Sequence, residues 1–148
     1  MTPEADVYSP GELERMNELM LSVRFHDWSG IELIEQRPGF ARCRLAVSEN
    51  TDGGGGYLHG GVLYGMFEVA AFFAAIPLTP RGHWLRSHAA SFNLMRTAPR
   101  GEAVILTAEV AKFGRTTGFI SVSAAPEGAP DKLVAMGQIT KTVVPANW

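Results

Sequence analysis

Leu13, Met16, Met20 and Val23 recur at spacings of three and four, which predicts a helix with one apolar stripe that docks on a sheet. Its start is legible too. Ser9 is placed as the N-cap, Pro10 at the first helical position and Glu12 where it completes a capping box. Residues 1–8 ahead of it read as a loose arm. Across residues 31–47 the pattern turns strand-like, with Ala41, Cys43, Leu45 and Val47 alternating with Arg42 and Arg44. Pro38-Gly39 interrupts it, so a hairpin turning at residues 37–39 is expected. Cys43 falls on the apolar face with no activating partner beside it, which makes it a structural thiol.

Residues 50–56 form a glycine-rich loop. It lacks the lysine of a phosphate cradle and reads as a flexible lid or spacer. Residues 62–76 that follow are apolar almost all round, with one charge, Glu68, in the middle. A membrane span takes about 20 such residues. This run is shorter and ends at Pro77, so it is expected as a helix buried inside the protein. Residues 87–97, 102–113, 116–125 and 132–144 alternate again and are four strand candidates. Turns at Pro99-Arg100-Gly101, Gly114-Arg115 and residues 126–131 should make them antiparallel neighbours. The pattern adds up to a single α+β domain spanning residues 1–148. It has one antiparallel sheet of about six strands wrapped around one apolar helix.

Composition narrows the chemistry. With 46% hydrophobic and 19% charged residues in 148, the chain has the balance of an ordinary globule, which excludes disorder. A net charge of −2 leaves no basic footprint, so neither nucleic acid nor a membrane is an expected partner. A single cysteine cannot form an internal disulfide, and acidic residues precede the first apolar run. Both features point to a cytoplasmic protein.

Three features converge on the apolar helix. His59-Gly60-Gly61 opens it, and the N–H groups of a first helical turn point outward with the positive end of the helix dipole behind them. That is a place for an oxygen that gains negative charge during a reaction. Glu68 is the second feature, because an unpaired carboxylate in a core costs several kcal/mol and intruding charges tend to mark working sites. The structural alternative is that Glu68 reaches a solvated edge or a neighbouring backbone group. The third feature is spacing: eight residues put Gly60 and Glu68 about 12 Å apart along one helix. Two copies of the helix packed antiparallel about a two-fold axis would close that gap and give two equivalent sites per dimer.

Leu58-His59-Gly60-Gly61-Val62, followed nine residues after the histidine by Glu68, resembles the hotdog-fold acyl-CoA thioesterases, in particular the phenylacetyl-CoA and 4-hydroxybenzoyl-CoA types. Ala98-Pro99-Arg100-Gly101-Glu102 resembles that family's Pro-x-x-Gly turn, and Gly114-Arg115-Thr116 its Gly-Arg turn. The resemblance implies a hotdog fold and hydrolysis of an acyl-CoA to acid and CoA, with CoA entering as part of the substrate and no separate cofactor. It implies homodimers, and by analogy their pairing into tetramers. It assigns the Gly60 N–H to the thioester carbonyl and Glu68 to the role of nucleophile or general base. His59 is assigned to holding the substrate or the glycine turn, or else only starts the helix. The substrate-binding set it suggests is Gly61, Asn50, Phe72, Ser91 and Arg115.

There are departures from the family pattern. Gly53 stands where the family usually carries Asn or Gln, with Asn50 the candidate substitute. Phe72 replaces a hydroxyl residue of one branch, and Ala89-Ala90-Ser91 replaces a Thr-x-Asp. These changes favour an apolar or aromatic acyl group.

Met66, Phe67, Phe72 and Phe73 are candidates for an acyl pocket, although a buried helix needs most such residues as core. Arg81, Arg86, Arg96, Arg100, Lys112 and Arg115 are candidates for the CoA phosphates, since a guanidinium fork matches phosphate geometry. His83 and His88 have no partners at metal-ligand spacing, and no metal site is expected. Two other functions stay open on this reading: a non-catalytic acyl-CoA-binding module, and an enoyl-acyl hydratase or dehydratase, whose Asp-x-x-x-x-His pattern is absent.

Overall fold

Ser9 starts the first helix as the sequence implies. In the computed structural model, which describes residues 6–147, its hydroxyl accepts the Glu12 N–H at 3.3 Å while Glu12 Oε2 accepts the Ser9 N–H at 2.7 Å. Helix α1 runs Pro10–Ser22 and lays Leu13, Met16 and Met20 on the core, whereas Val23 lies just past its end and is exposed. A second, six-residue helix α2, Arg24–Ser29, follows at once and has no counterpart in the hydrophobic pattern. Residues 1–5 of the expected loose arm lie outside the described residues. Residues 6–8 are docked rather than loose: Val7 bridges Pro80, and the buried Tyr8 donates its hydroxyl to the His83 carbonyl at 2.6 Å.

Strands β1 (Glu32–Arg37) and β2 (Phe40–Ala46) form the expected hairpin, with Gly39 at φ 80° in the turn. Ala41, Cys43 and Leu45 of β2 are fully buried, as their alternation requires. Helix α3 spans Gly60–Ala75 and continues into one turn of 3₁₀ helix at Ile76–Leu78. By length and composition Gly60–Leu78 would suffice to cross a membrane, yet 72% of it is buried inside this fold. Phe67, Phe72, Phe73, Leu63 and Met66 are its largest contributions, each removing about 1.5–3 kcal/mol worth of apolar surface from water. It is the core of the domain.

Strands β3 (His83–Leu94), β4 (Ala103–Phe113), β5 (Thr117–Pro126) and β6 (Ala135–Pro145) complete one antiparallel sheet of order β1-β2-β4-β5-β6-β3. Val104, Leu106 and Ala108 face the helix, as do Ile120, Val122 and Ala124. The order corrects one expectation. Strand β3 pairs with β6 and not with β4, despite the short connection between them. Three strand spacings are only about 14 Å, and the eight residues 95–102 reach about 26 Å, so this segment can cross the end of the sheet. On the way it is fastened twice, with Met95 donating to Val134 and Ala98 accepting from Leu58. Strand β3 therefore lies at one margin of the sheet, with residues 86–91 exposed.

Candidate functional site

The first turn of α3 is built around His59. Its backbone is extended (φ −68°, ψ 123°), and its Nδ1 accepts the Gly61 N–H at 2.9 Å. Its carbonyl accepts the N–H groups of Val62 and Leu63, both at 3.1 Å. The Gly60 N–H is thus the donor of this turn left without an acceptor among the described residues. His59 donates its own N–H to Thr51 and Leu58 donates to Ala98, each at 2.8 Å, so the turn is tied to the glycine loop and to the β3–β4 crossover. Leu94 of β3 and the Tyr64 ring stand beside Gly60, 3.7 and 3.9 Å from where a Cβ would be.

The glycine loop is a spacer tied down by Asp52, not a free lid. One carboxylate oxygen of Asp52 accepts the N–H of Gly54 at 2.6 Å and of Gly56 at 3.1 Å; the other meets Arg100 Nε at 3.0 Å. These bonds and the Arg100 charge hold the Asp52 carboxyl below its ordinary range. Gly54 and Gly56 sit at φ 95° and 82°, where a side chain would be strained. Gly53 packs so closely on His59 that a Cβ would be 3.4 Å from its Cα.

Glu68 lies two turns along α3, its side chain 34% exposed. Its Oε2 accepts a hydrogen bond from the Ser87 hydroxyl and pairs with Lys141 Nζ at 3.2 Å, and Lys141 Nζ also donates to Ser87 Oγ at 2.7 Å. Ser87 and Lys141 meet because they are register partners on β3 and β6, which puts their side chains on one face. A register shift between Ser87 and Ala89 follows immediately. The Lys141 side chain is only 5% exposed, and burial pushes its ammonium below the ordinary lysine value while Glu68 opposes the shift. These three groups open on a cavity of about 190 Å³ whose other walls are Met20, His26, Val69, Phe72 and Leu85. A second cavity, of about 420 Å³, lies against the helix N-terminus between His59, Gly61 and Val62 on one side and Phe25, Trp28, Asn50 and Asp52 on the other. Phe25 and Trp28 stack there with ring centroids 5.9 Å apart.

The sequence-derived residues therefore fall into two groups. His59, Gly60, Gly61 and Asn50 gather at the helix N-terminus, with Asn50 Nδ2 donating to the Trp28 carbonyl at 2.9 Å. Glu68 and Phe72 gather at the smaller cavity, where Phe72 also packs on Trp84. Ser91 is exposed on β3, and the serine that reaches Glu68 is Ser87. Arg115 is exposed at the β4–β5 turn, three residues from Gly118, the register partner of Lys141. Among the basic candidates, Arg81 pairs with Asp6 and Glu12 and Arg100 with Asp52; Arg86, Arg96, Lys112 and Arg115 form no ion pair among the described residues. His83 and His88 lie on β3, and no cluster of three His, Cys, Asp or Glu side chains occurs among the described residues. Cys43 is fully buried, which pushes its thiol up to about 12.

Ser87, Lys141 and His26 were not anticipated. Lys141 had a signal, since it alternates with the buried Ile139 and the half-buried Val143 and is a charge on an apolar face.

Comparison with known proteins adds a family context. The family model for the thioesterase superfamily matches residues 55–128. Acyl-coenzyme A thioesterase 13 of Homo sapiens is 33% identical over 111 residues, covering 75% of this chain and 78% of that protein. Among solved structures, zebrafish thioesterase superfamily member 2 superposes with a TM-score of 0.79 at 28% identity, covering 91% of this chain and 98% of its own. A Haemophilus influenzae thioesterase reaches a TM-score of 0.81 at 22% identity, covering 95% and 94%.

Proposed function

The chain belongs to the thioesterase superfamily and is a thioester hydrolase, and from that premise we propose that it cleaves acyl-CoA with Glu68 as the reacting carboxylate. The observation that carries this reading is the position of Glu68: a carboxylate on the core helix, opening on a mainly apolar cavity beside it. Glu68 either attacks the thioester carbonyl carbon, releasing CoA thiolate and leaving a mixed anhydride for water to open, or takes the proton of the attacking water. In this reading the unused Gly60 N–H, at the positive end of the α3 dipole, holds the carbonyl oxygen as it becomes negative.

The two groups belong to different subunits in this proposal. Glu68 is bonded to Ser87 near the start of β3, while Gly60 lies against Leu94 at its end. Strand β3 is long and marginal in the sheet, with exposed Leu94 and Met95 at its end, and such an edge invites a second strand. Antiparallel pairing of two β3 strands about a point midway between Ser87 and Leu94 sets Ser87 of each opposite Leu94 of the other. The Glu68 carboxylate of one subunit then approaches the Gly60 amide of its partner, at two equivalent sites. The cavity of about 190 Å³ is comparable to the roughly 150 Å³ apolar cavity that takes up benzene, which suits a compact apolar or aromatic acyl group.

The test is hydrolysis of a panel of CoA esters by purified protein and by Glu68→Gln, with circular dichroism confirming the fold. Loss of turnover in the variant is expected. Wild-type rates in Glu68→Gln would remove the mechanism, and tight CoA-ester binding without turnover by the unmodified protein would make it a binding module.

A further inference from the structure

We infer that Lys141 is a positioning residue for this hydrolysis: its ammonium fastens one carboxylate oxygen of Glu68 and leaves the other as the oxygen that reacts. The inference rests on Glu68 being the reacting acid, as proposed above.

A lysine at this position is costly. Ile139 and Val143, two residues to either side on β6, show what the face would otherwise hold, and burying an ammonium loses several kcal/mol of hydration before any partner is counted. Lys141 is matched by two partners. Its Nζ donates to Ser87 Oγ at 2.7 Å and lies 3.2 Å from Glu68 Oε2, and the Ser87 hydroxyl donates its own hydrogen bond to the same Oε2. The three groups close a ring in which Oε2 receives two donors. Among the described residues Oε1 receives none. A glutamate has three side-chain torsions, and an unfastened one would spread its oxygens over many positions. Fastened at Oε2 from two strands, the carboxylate keeps one orientation and one free oxygen. For a reaction that needs near-attack geometry, an error of about 1 Å is worth on the order of a hundredfold in rate.

The ammonium form is the one that does this. The charged and titratable groups around it are Glu68 from α3 and His26 from α2; α1 contributes Met20, β3 Leu85 and Ser87, and β5 Gly118. His26 Nδ1 is within 2.7 Å of the Met20 carbonyl. Burial lowers the Lys141 ammonium below its ordinary value of 10.5, so raising the pH removes its charge before that of a surface lysine.

The experiment compares steady-state kinetics of Lys141→Met, Lys141→Ala and Glu68→Gln with wild type across pH, alongside thermal melts. Lys141→Met should lower kcat about 10- to 100-fold with KM within about threefold, since the acyl cavity keeps its apolar walls. Added ethylammonium should restore part of the kcat of Lys141→Ala, which a lysine of purely structural role would not allow. Wild-type kcat should also fall on an alkaline limb below the ordinary lysine value, a reading that needs no variant to fold. Wild-type kcat in folded Lys141→Met, no ethylammonium effect, or a wild-type profile flat through 10.5 overturns the inference. An active Glu68→Gln instead removes the underlying mechanism, so the two failures are distinct.

Discussion

The imidazole Nδ1 of His59 accepts the N–H of Gly61 at 2.9 Å, so this side chain caps the central helix at the turn that presents the Gly60 amide. The sequence left three readings of His59, holding the substrate, holding the glycine turn or only starting the helix, and the bond to Gly61 is the contact of a helix-starting cap. An Asn side chain can make the same short-range cap, and an Ala cannot. His59→Ala should therefore cost about 1 kcal/mol in stability and lower kcat/KM, because the Gly60 amide loses its fixed direction. His59→Asn should recover most of both. Urea unfolding and initial rates on one CoA ester measure the pair, and equal activity losses in the two variants would show that the imidazole itself contacts substrate.

Cys43 gives a prediction about alkaline stability. Burial raises its thiol from 9.0 to about 12, so below pH 9 it is neutral in both the folded and unfolded chain and its contribution is fully present. Between 9 and 12 the unfolded chain sheds a proton that the folded one keeps. Stability then falls by about 1.4 kcal/mol per pH unit and is lost as pH passes the folded value. Between pH 8 and 10.5 wild type should lose about 2 kcal/mol more than Cys43→Ala in urea titrations. Parallel losses in the two proteins would mean that this thiol is reached by solvent.

Asp52 governs the opposite end of the pH scale. Its carboxyl is held below the ordinary 3.8 by the Gly54 and Gly56 amides and by Arg100, so its support of the glycine loop is present above that value and lost as pH falls through the folded one. Asp52→Asn should release the loop at neutral pH. Amide exchange at Gly54 and Gly56 should quicken, with kcat/KM reduced because Thr51 and Gly53 hold His59 in place. Unchanged exchange at those two amides would show that Tyr57 and Arg100 backbone bonds suffice.

Much of this was legible in the chain, and the gaps have physical reasons. The capping box at Ser9, the Cys43 face and the apolar helix follow from local periodicity, and local rules hold there. The β3–β4 connection misleads because a short turn usually joins neighbours, whereas residues 95–102 cross the sheet end. Helix α2 is too short for periodicity to register. Glu68 stood out as one charge in an apolar run, and Lys141 is the same kind of signal at strand period. Two intruding charges of opposite sign are candidates for each other, but only the β3–β6 register shows that Ser87 joins them.

The proposed sharing of the site between subunits can be tested by complementation. Gly60→Pro removes a single N–H at the first position of α3, where Pro is favoured, and the extended His59 before it already suits a following Pro. Gly60→Pro and Glu68→Gln should each be inactive alone while remaining folded. Refolded or co-expressed together in equal amounts, half of the dimers combine one chain of each kind. In such a dimer one site pairs the intact Gly60 of the Glu68→Gln chain with the intact Glu68 of the Gly60→Pro chain, and the other site has neither. Activity should return to about a quarter of wild type. If both groups acted within one chain, no mixed dimer would hold a complete site and the mixture would stay inactive. That outcome would move the carbonyl of the substrate off Gly60, since about 12 Å of helix separates that amide from the carboxylate of its own chain.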